Sequence, residues 1–104
     1  MTNPIDGVTV TLAVTLKPEE AEGFVAQLPE VIKDTARFPG FRTLRVVRHN
    51  IERGRFLVIE TWDSEADYAA YMDWRVKSGA LEAMQARIVA PPQVDIWPTV
   101  AAKA

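Results

Sequence analysis

The sequence predicts an α+β fold with the element order strand, helix, strand, strand, helix, strand. Three observations carry that prediction. Residues 8–16 alternate strictly between aliphatic side chains and mostly threonines. Two later stretches, from Pro18 and from Ser64, place apolar residues at helical spacing behind acidic first turns. Two strand-like runs between them flank a turn ending in Gly54. Elements in this order build the ferredoxin-like β-α-β-β-α-β arrangement around an antiparallel sheet.

Each element has a local cause. Val8, Val10, Leu12, Val14 and Leu16 share one face of the first strand, with Thr9, Thr11, Ala13 and Thr15 on the other. Such alternation suits a half-buried pleated strand. Pro18, Glu19, Glu20 and Glu22 mark a helix start, with proline in the first turn and acids at the positive end of the dipole. Ala21, Phe24, Val25, Leu28 and Ile32 continue at helical spacing to about Ala36. Pro29 lacks the N–H that would bond the Val25 carbonyl, which predicts a kink or break there. Phe38-Pro39-Gly40 is a turn. Residues 41–50 form a second strand, residues 51–54 a hairpin turn in which Gly54 supplies positive φ if needed, and residues 55–62 a third strand. Ser64 is placed to cap a second helix that opens with Glu65 and Asp67 and runs to about Trp74. After a bend at Ser78-Gly79, helical spacing continues through Leu81, Met84 and Ile88 until Pro91-Pro92. Residues 93–97 form a last short strand.

The 104 residues predict one domain over 1–104, with its core at about 7–98. There is no cysteine, which removes disulfides, thiolate metal sites and a cysteine nucleophile, and one histidine, which removes sites needing two imidazoles. No metal site is expected. A net charge of -2 argues against nucleic-acid binding, because neutralising several phosphates takes a basic face. The apolar runs are too short to span a membrane. Residues 1–7 lack a basic region followed by an apolar run, so the expected location is cytoplasmic.

The third strand predicts a partner. Phe56, Val58, Glu60 and Trp62 alternate with Leu57, Ile59 and Thr61, so neither face is distinctly polar. A two-layer sandwich covers one face of its sheet and leaves the other polar. The expected cover for the second face is the sheet of an identical copy, giving a homodimer.

The stretch Phe38-Pro39-Gly40-Phe41, then Leu44-Arg45-Val46, then residues 55–66 with Glu60-Thr61-Trp62 leading into Ser64-Glu65-Ala66, resembles the antibiotic biosynthesis monooxygenase superfamily. The Pro91-Pro92 and short-strand ending is similar too. The resemblance implies a dimeric α+β barrel. Some members oxidise phenolic anthrones or quinols with molecular oxygen and no cofactor; others degrade haem. The haem-degrading branch carries an axial histidine on the second helix, where this chain has Tyr71 and Met72, so haem degradation is not expected. The anthrone-oxygenase branch carries a polar amide on the third strand before the tryptophan, where this chain has Val58 and Glu60.

The candidate site follows from these residues. Trp62 is a candidate catalytic residue, stacking on a flat substrate, or else a core anchor between sheet and second helix. Tyr68, Tyr71, Met72, Trp74 and Arg75 fall at spacings that put them on adjoining parts of one helical face. They would line a pocket for a planar phenolic ligand, with Arg75 stabilising developing negative charge, or else pack the core. His49 is a candidate general base or a surface hairpin histidine. Glu60 shares a face with Trp62 and, if buried, needs a partner, for which an arginine of the second strand or of a second copy is expected. Arg42, Arg45, Arg48, Arg53 and Arg55 read as a solvated edge that resists sheet-to-sheet aggregation. The expected function is cofactor-independent oxidation of a phenolic, anthrone or quinol-like aromatic. The alternatives are a non-catalytic aromatic-ligand binder and an isomerase or cyclase.

Overall fold

The computed structural model describes residues 6–104. Residues 1–5, part of the stretch read as lacking a targeting signal, lie outside the described residues. The elements are β1 (Val8–Thr15), a 3-10 turn (Pro18–Glu20), α1 (Ala21–Thr35), β2 (Phe41–Arg48), β3 (Arg55–Trp62), α2 (Glu65–Lys77), α3 (Ala80–Gln85) and β4 (Gln93–Trp97). The strands form one antiparallel sheet in the order β2-β3-β1-β4. This is the predicted α+β, ferredoxin-like arrangement.

Register assigns the faces. Val10 pairs with Glu60, Leu12 with Val58 and Val14 with Phe56 across β1 and β3. On β3 the side chains of Phe56, Val58, Glu60 and Trp62 are all buried. The opposite face stays accessible, with Leu57 at 36%, Val47 at 41% and Trp97 at 53% exposure. The buried side chains form two separate clusters. One gathers Val14, Leu16, Ala21, Phe24 and Phe56. The other gathers Val10, Trp62 and Tyr71, with Phe38, Phe41, Tyr68 and Met72 against it.

Several boundaries depart from the sequence reading. Helix α1 runs unbroken through Pro29. Pro29 and Val25 both lie on the exposed side, where water can solvate the freed Val25 carbonyl, while Phe24, Leu28 and Thr35 hold the inner face. Strand β2 stops at Arg48, and α2 continues past Trp74 to Lys77. Helix α3 ends at Gln85, well before the prolines, because Ile88 leaves the helix to bridge Leu16. Gly54 has no positive φ; glycine is needed there because a Cβ would sit 2.9 Å from the Leu16 carbonyl oxygen. The hairpin arginines are engaged locally. Arg48 pairs with Glu22, Arg55 with Glu52 and Arg42 with Asp63, and Arg53 donates to the His49 carbonyl.

The turn before β2 is locked by glycine. Gly40 has φ +84°, and a Cβ there would overlap the Asp67 carboxyl group. That carboxylate accepts the Ser64 hydroxyl at 2.9 Å, while the Ser64 oxygen caps α2 by accepting the Asp67 backbone N–H. Gly40→Ala should therefore cost more than about 1 kcal/mol, since it combines a strained φ with a clash. Gly79 also has positive φ, +81°, but opens onto empty space. Urea unfolding should show a larger loss for Gly40→Ala than for Gly79→Ala. Equal losses would show that backbone conformation alone matters.

Candidate active site

A cavity of about 640 Å³ lies between the sheet and the helices. Its floor is the inner face of the sheet, where Leu44, Glu60 and Val10 form one row and Val46, Val58, Leu12 and Val94 the next. Glu60 is the single polar side chain in these two rows. Helix α2 forms one wall, and Tyr68, Tyr71, Met72, Trp74 and Arg75 all line the cavity. Ser64 sets the start of that helix, and so the rotation that turns these positions inward.

Glu60 is 7% exposed. Among the described residues no arginine lies within ion-pairing distance of it, so the second-strand arginine allowed for by the sequence is not its partner. Instead one carboxylate oxygen accepts the Trp62 indole N–H at 2.9 Å. Alternation explains this, since residues 60 and 62 point to the same side of one strand. Burial raises the Glu60 pKa above the ordinary carboxylate range, opposed by the indole hydrogen bond and by the positive charge of Arg75.

Trp62 is fully buried. It does not line the cavity, so its indole anchors the core and holds Glu60. Its ring meets Phe41 edge-on at 5.5 Å, Tyr68 at 6.1 Å and Tyr71 at 5.0 Å between centroids. The geometry thus matches the core-anchor alternative, not stacking on a substrate. The structure also keeps His49 away from the cavity. Its Nδ1 accepts the backbone N–H groups of Ile51 and Glu52 at 3.2 and 2.9 Å, capping the hairpin turn.

The tyrosines differ in role. The Tyr71 hydroxyl meets the Thr35 hydroxyl at 2.9 Å and receives an Arg75 N–H at 3.1 Å. Arg75 also lies 5.8 Å from the centre of the Tyr71 ring. Tyr71 therefore fixes Arg75 at the cavity wall. Tyr68 has no hydroxyl hydrogen bond to the described residues. Burial first, then the Glu60 carboxylate and Tyr71, push its pKa up to about 12, against the opposing effect of Arg75. Tyr68 therefore stays protonated near neutral pH and can donate a hydrogen bond into the cavity. Thr35 was missed in the sequence, although its spacing from Leu28 and Ile32 puts it on the inner face of α1. Among the described residues no group of three or more histidine, aspartate or glutamate side chains is placed to hold a metal ion. No helix among them is long and apolar enough to cross a membrane.

Fold and motif together define the class. The chain belongs to the antibiotic biosynthesis monooxygenase family, which it matches over residues 7–87. Solved structures share the architecture. A cofactor-independent oxygenase from Streptomyces nogalater, SnoaB, superposes with a TM-score of 0.79 at 16% identity, covering 94% of this chain and 96% of that one. A conserved protein from Methanosarcina mazei gives 0.79 at 14% identity, covering 89% and 92%. A Pseudomonas aeruginosa protein gives 0.72 at 18% identity, covering 97% and 98%. At these identities the likeness is one of fold. No curated protein sequence matches the chain.

Proposed function

We propose that this protein is a cofactor-independent monooxygenase that oxidises a phenolic, anthrone or quinol-like aromatic with molecular oxygen. The observation that supports this best is a buried carboxylate set alone in an apolar floor, facing a protonated tyrosine and an arginine. Glu60 takes the role of base that the sequence offered to His49. It removes a proton from the substrate, and Tyr68 and Arg75 stabilise the resulting oxyanion. Trp62 acts as a positioning residue through Glu60. For an anthrone the step balances without a reductant. The activated CH₂ carbon gives up four electrons and becomes a carbonyl, one oxygen atom ending on carbon and the other leaving with two hydrogens as water.

The test is oxygen uptake with anthrones and quinols, comparing the native chain with Arg75→Ala. We expect uptake with the native chain and a loss of about 100-fold or more in the variant, as for removal of one oxyanion donor. Turnover that persists without oxygen would replace the oxygenase reading with an isomerase or cyclase. Saturable binding with no turnover would leave a binding protein.

The proposal includes a homodimer through the accessible sheet face. Val47, Leu57, Ile59 and Trp97 on that face support it, since such side chains favour burial against an identical sheet. Light scattering at micromolar concentration should give twice the chain mass. A monomer would overturn this part.

A further inference from the structure

The cavity has two chemically different ends, and the proposed reaction uses only one. Aromatic and polar side chains crowd the end beside α2, where Tyr68, Tyr71, Trp74, Arg75 and Glu60 converge. The other end is largely aliphatic, with Phe24 and the hydrogen-bonded Glu20, Gln27 and Arg87 also on the cavity wall. Its floor is Leu12, Val14 and Val46, and α1 and α3 cover it with Leu28, Ile32 and Met84. Val14 belongs to one of the two core clusters, and Leu28, Val46 and Met84 pack against it, so this end is the cavity-facing side of that cluster. Along β1 the floor runs from the row of Glu60, at Val10, to Val14. Four residues of strand span about 13 Å.

Size and chemistry together select a ligand. A benzene-sized ring occupies a cavity of about 150 Å³. This cavity is about 640 Å³, so a single ring at the polar end leaves most of it unfilled. The remaining wall offers aliphatic contact and few flat aromatic surfaces to stack against. Flexible methionines at both ends adapt to a chain of varying shape.

From this we infer that the substrate is a hydroxylated single aromatic ring carrying a long aliphatic chain, with the ring at Glu60, Tyr68 and Arg75 and the chain lying over Leu12 and Val14. The inference rests on the proposed function only for where the ring sits, and it concerns binding, so it is measured without turnover.

The experiment is an anaerobic titration, read by tryptophan fluorescence, of alkylated hydroquinones with chains of one to twelve carbons. Kd should fall about fourfold for each added methylene until the chain spans the floor, then level off. Leu28→Trp and Met84→Trp, made separately, put bulk into the aliphatic end. Each should leave the one-carbon ligand's Kd within about twofold and abolish the gain with chain length. Two variants on different helices guard against one failing to fold. A Kd independent of chain length overturns the inference. So does tighter binding of a flat tricyclic phenol than of an alkyl phenol of equal carbon number, or chain-length dependence that survives in both folded variants. If chain-length dependence holds and oxygen uptake is absent, the ligand class stands and the oxygenase proposal fails. If short-chain ligands turn over and Kd is flat, the reverse is true.

Discussion

Glu60→Gln is expected to lower kcat about 100- to 10,000-fold, the usual worth of a positioned general base, with ligand affinity nearly unchanged. Glutamine keeps the volume and an oxygen that accepts the Trp62 indole N–H, so the variant removes charge and basicity and little else. The pH profile gives a second readout. Because burial raises the Glu60 pKa, the rate should climb with pH through a limb lying above the ordinary carboxylate range. Glu60→Gln should abolish that limb. The same shift affects stability. Between its ordinary value of 4.5 and its raised folded value, the folded chain holds a proton that the unfolded chain has released. Stability therefore falls as pH rises through that window, and the variant should lack this fall. Full activity in Glu60→Gln would remove Glu60 from the mechanism.

The second large effect is at Trp62. Trp62→Ala empties a fully buried site and should cost about 3–5 kcal/mol. A domain of this size has about 5–15 kcal/mol in all, so the thermal midpoint should fall by roughly 12 °C or more. Trp62→Phe separates packing from hydrogen bonding. It keeps an aromatic ring but removes the N–H that Glu60 accepts. Leaving that carboxylate unpaired should cost about 1–3 kcal/mol where it is ionised, and less at acid pH, where it is protonated. Urea unfolding over a pH series should show the loss growing as pH rises through the Glu60 titration. A loss that does not vary with pH would mean that the indole N–H does not support the ionised Glu60. In a Trp62→Phe/Glu60→Gln double variant the pH dependence should vanish.

Much of this architecture was legible along the chain. The alternation from Val8 to Leu16 has period two, and the α2 stripe from Tyr68 to Arg75 has helical spacing; both are local properties that survive folding. Ser64 and Asp67 marked the start of α2 for the same reason, since a cap involves residues three apart. The break allowed for at Pro29 does not occur because the cost of a proline depends on exposure. On a helix face turned to water one freed carbonyl is solvated, and the buried side holds the helix together. The end of α3 was misread because Ile88 answers to Leu16, a residue far away in sequence.

The roles of single side chains were less legible. Histidine is the side chain used most often as a general base, but the position of His49 in the hairpin turns its ring nitrogen to two backbone N–H groups. Trp62 carries the motif, yet it is packed in the core beside the cavity and acts on Glu60. Thr35 gave only a weak signal as a polar residue on an apolar face.

The order and type of the elements, and the face on which each strand side chain lies, were readable along the chain because periodicity is a property of neighbours. The two largely apolar faces of β3 and the side-chain stripe of α2 follow from that alone. Packing across the sandwich decided instead that Glu60 is buried with no ion-paired arginine among the described residues and that Tyr68 is held protonated in the same cavity. It also decided that the core splits into two clusters around a cavity. Burial and electrostatics depend on which elements meet across the sandwich, and here those elements are brought together by pairings such as Val10 with Glu60, fifty residues apart in sequence.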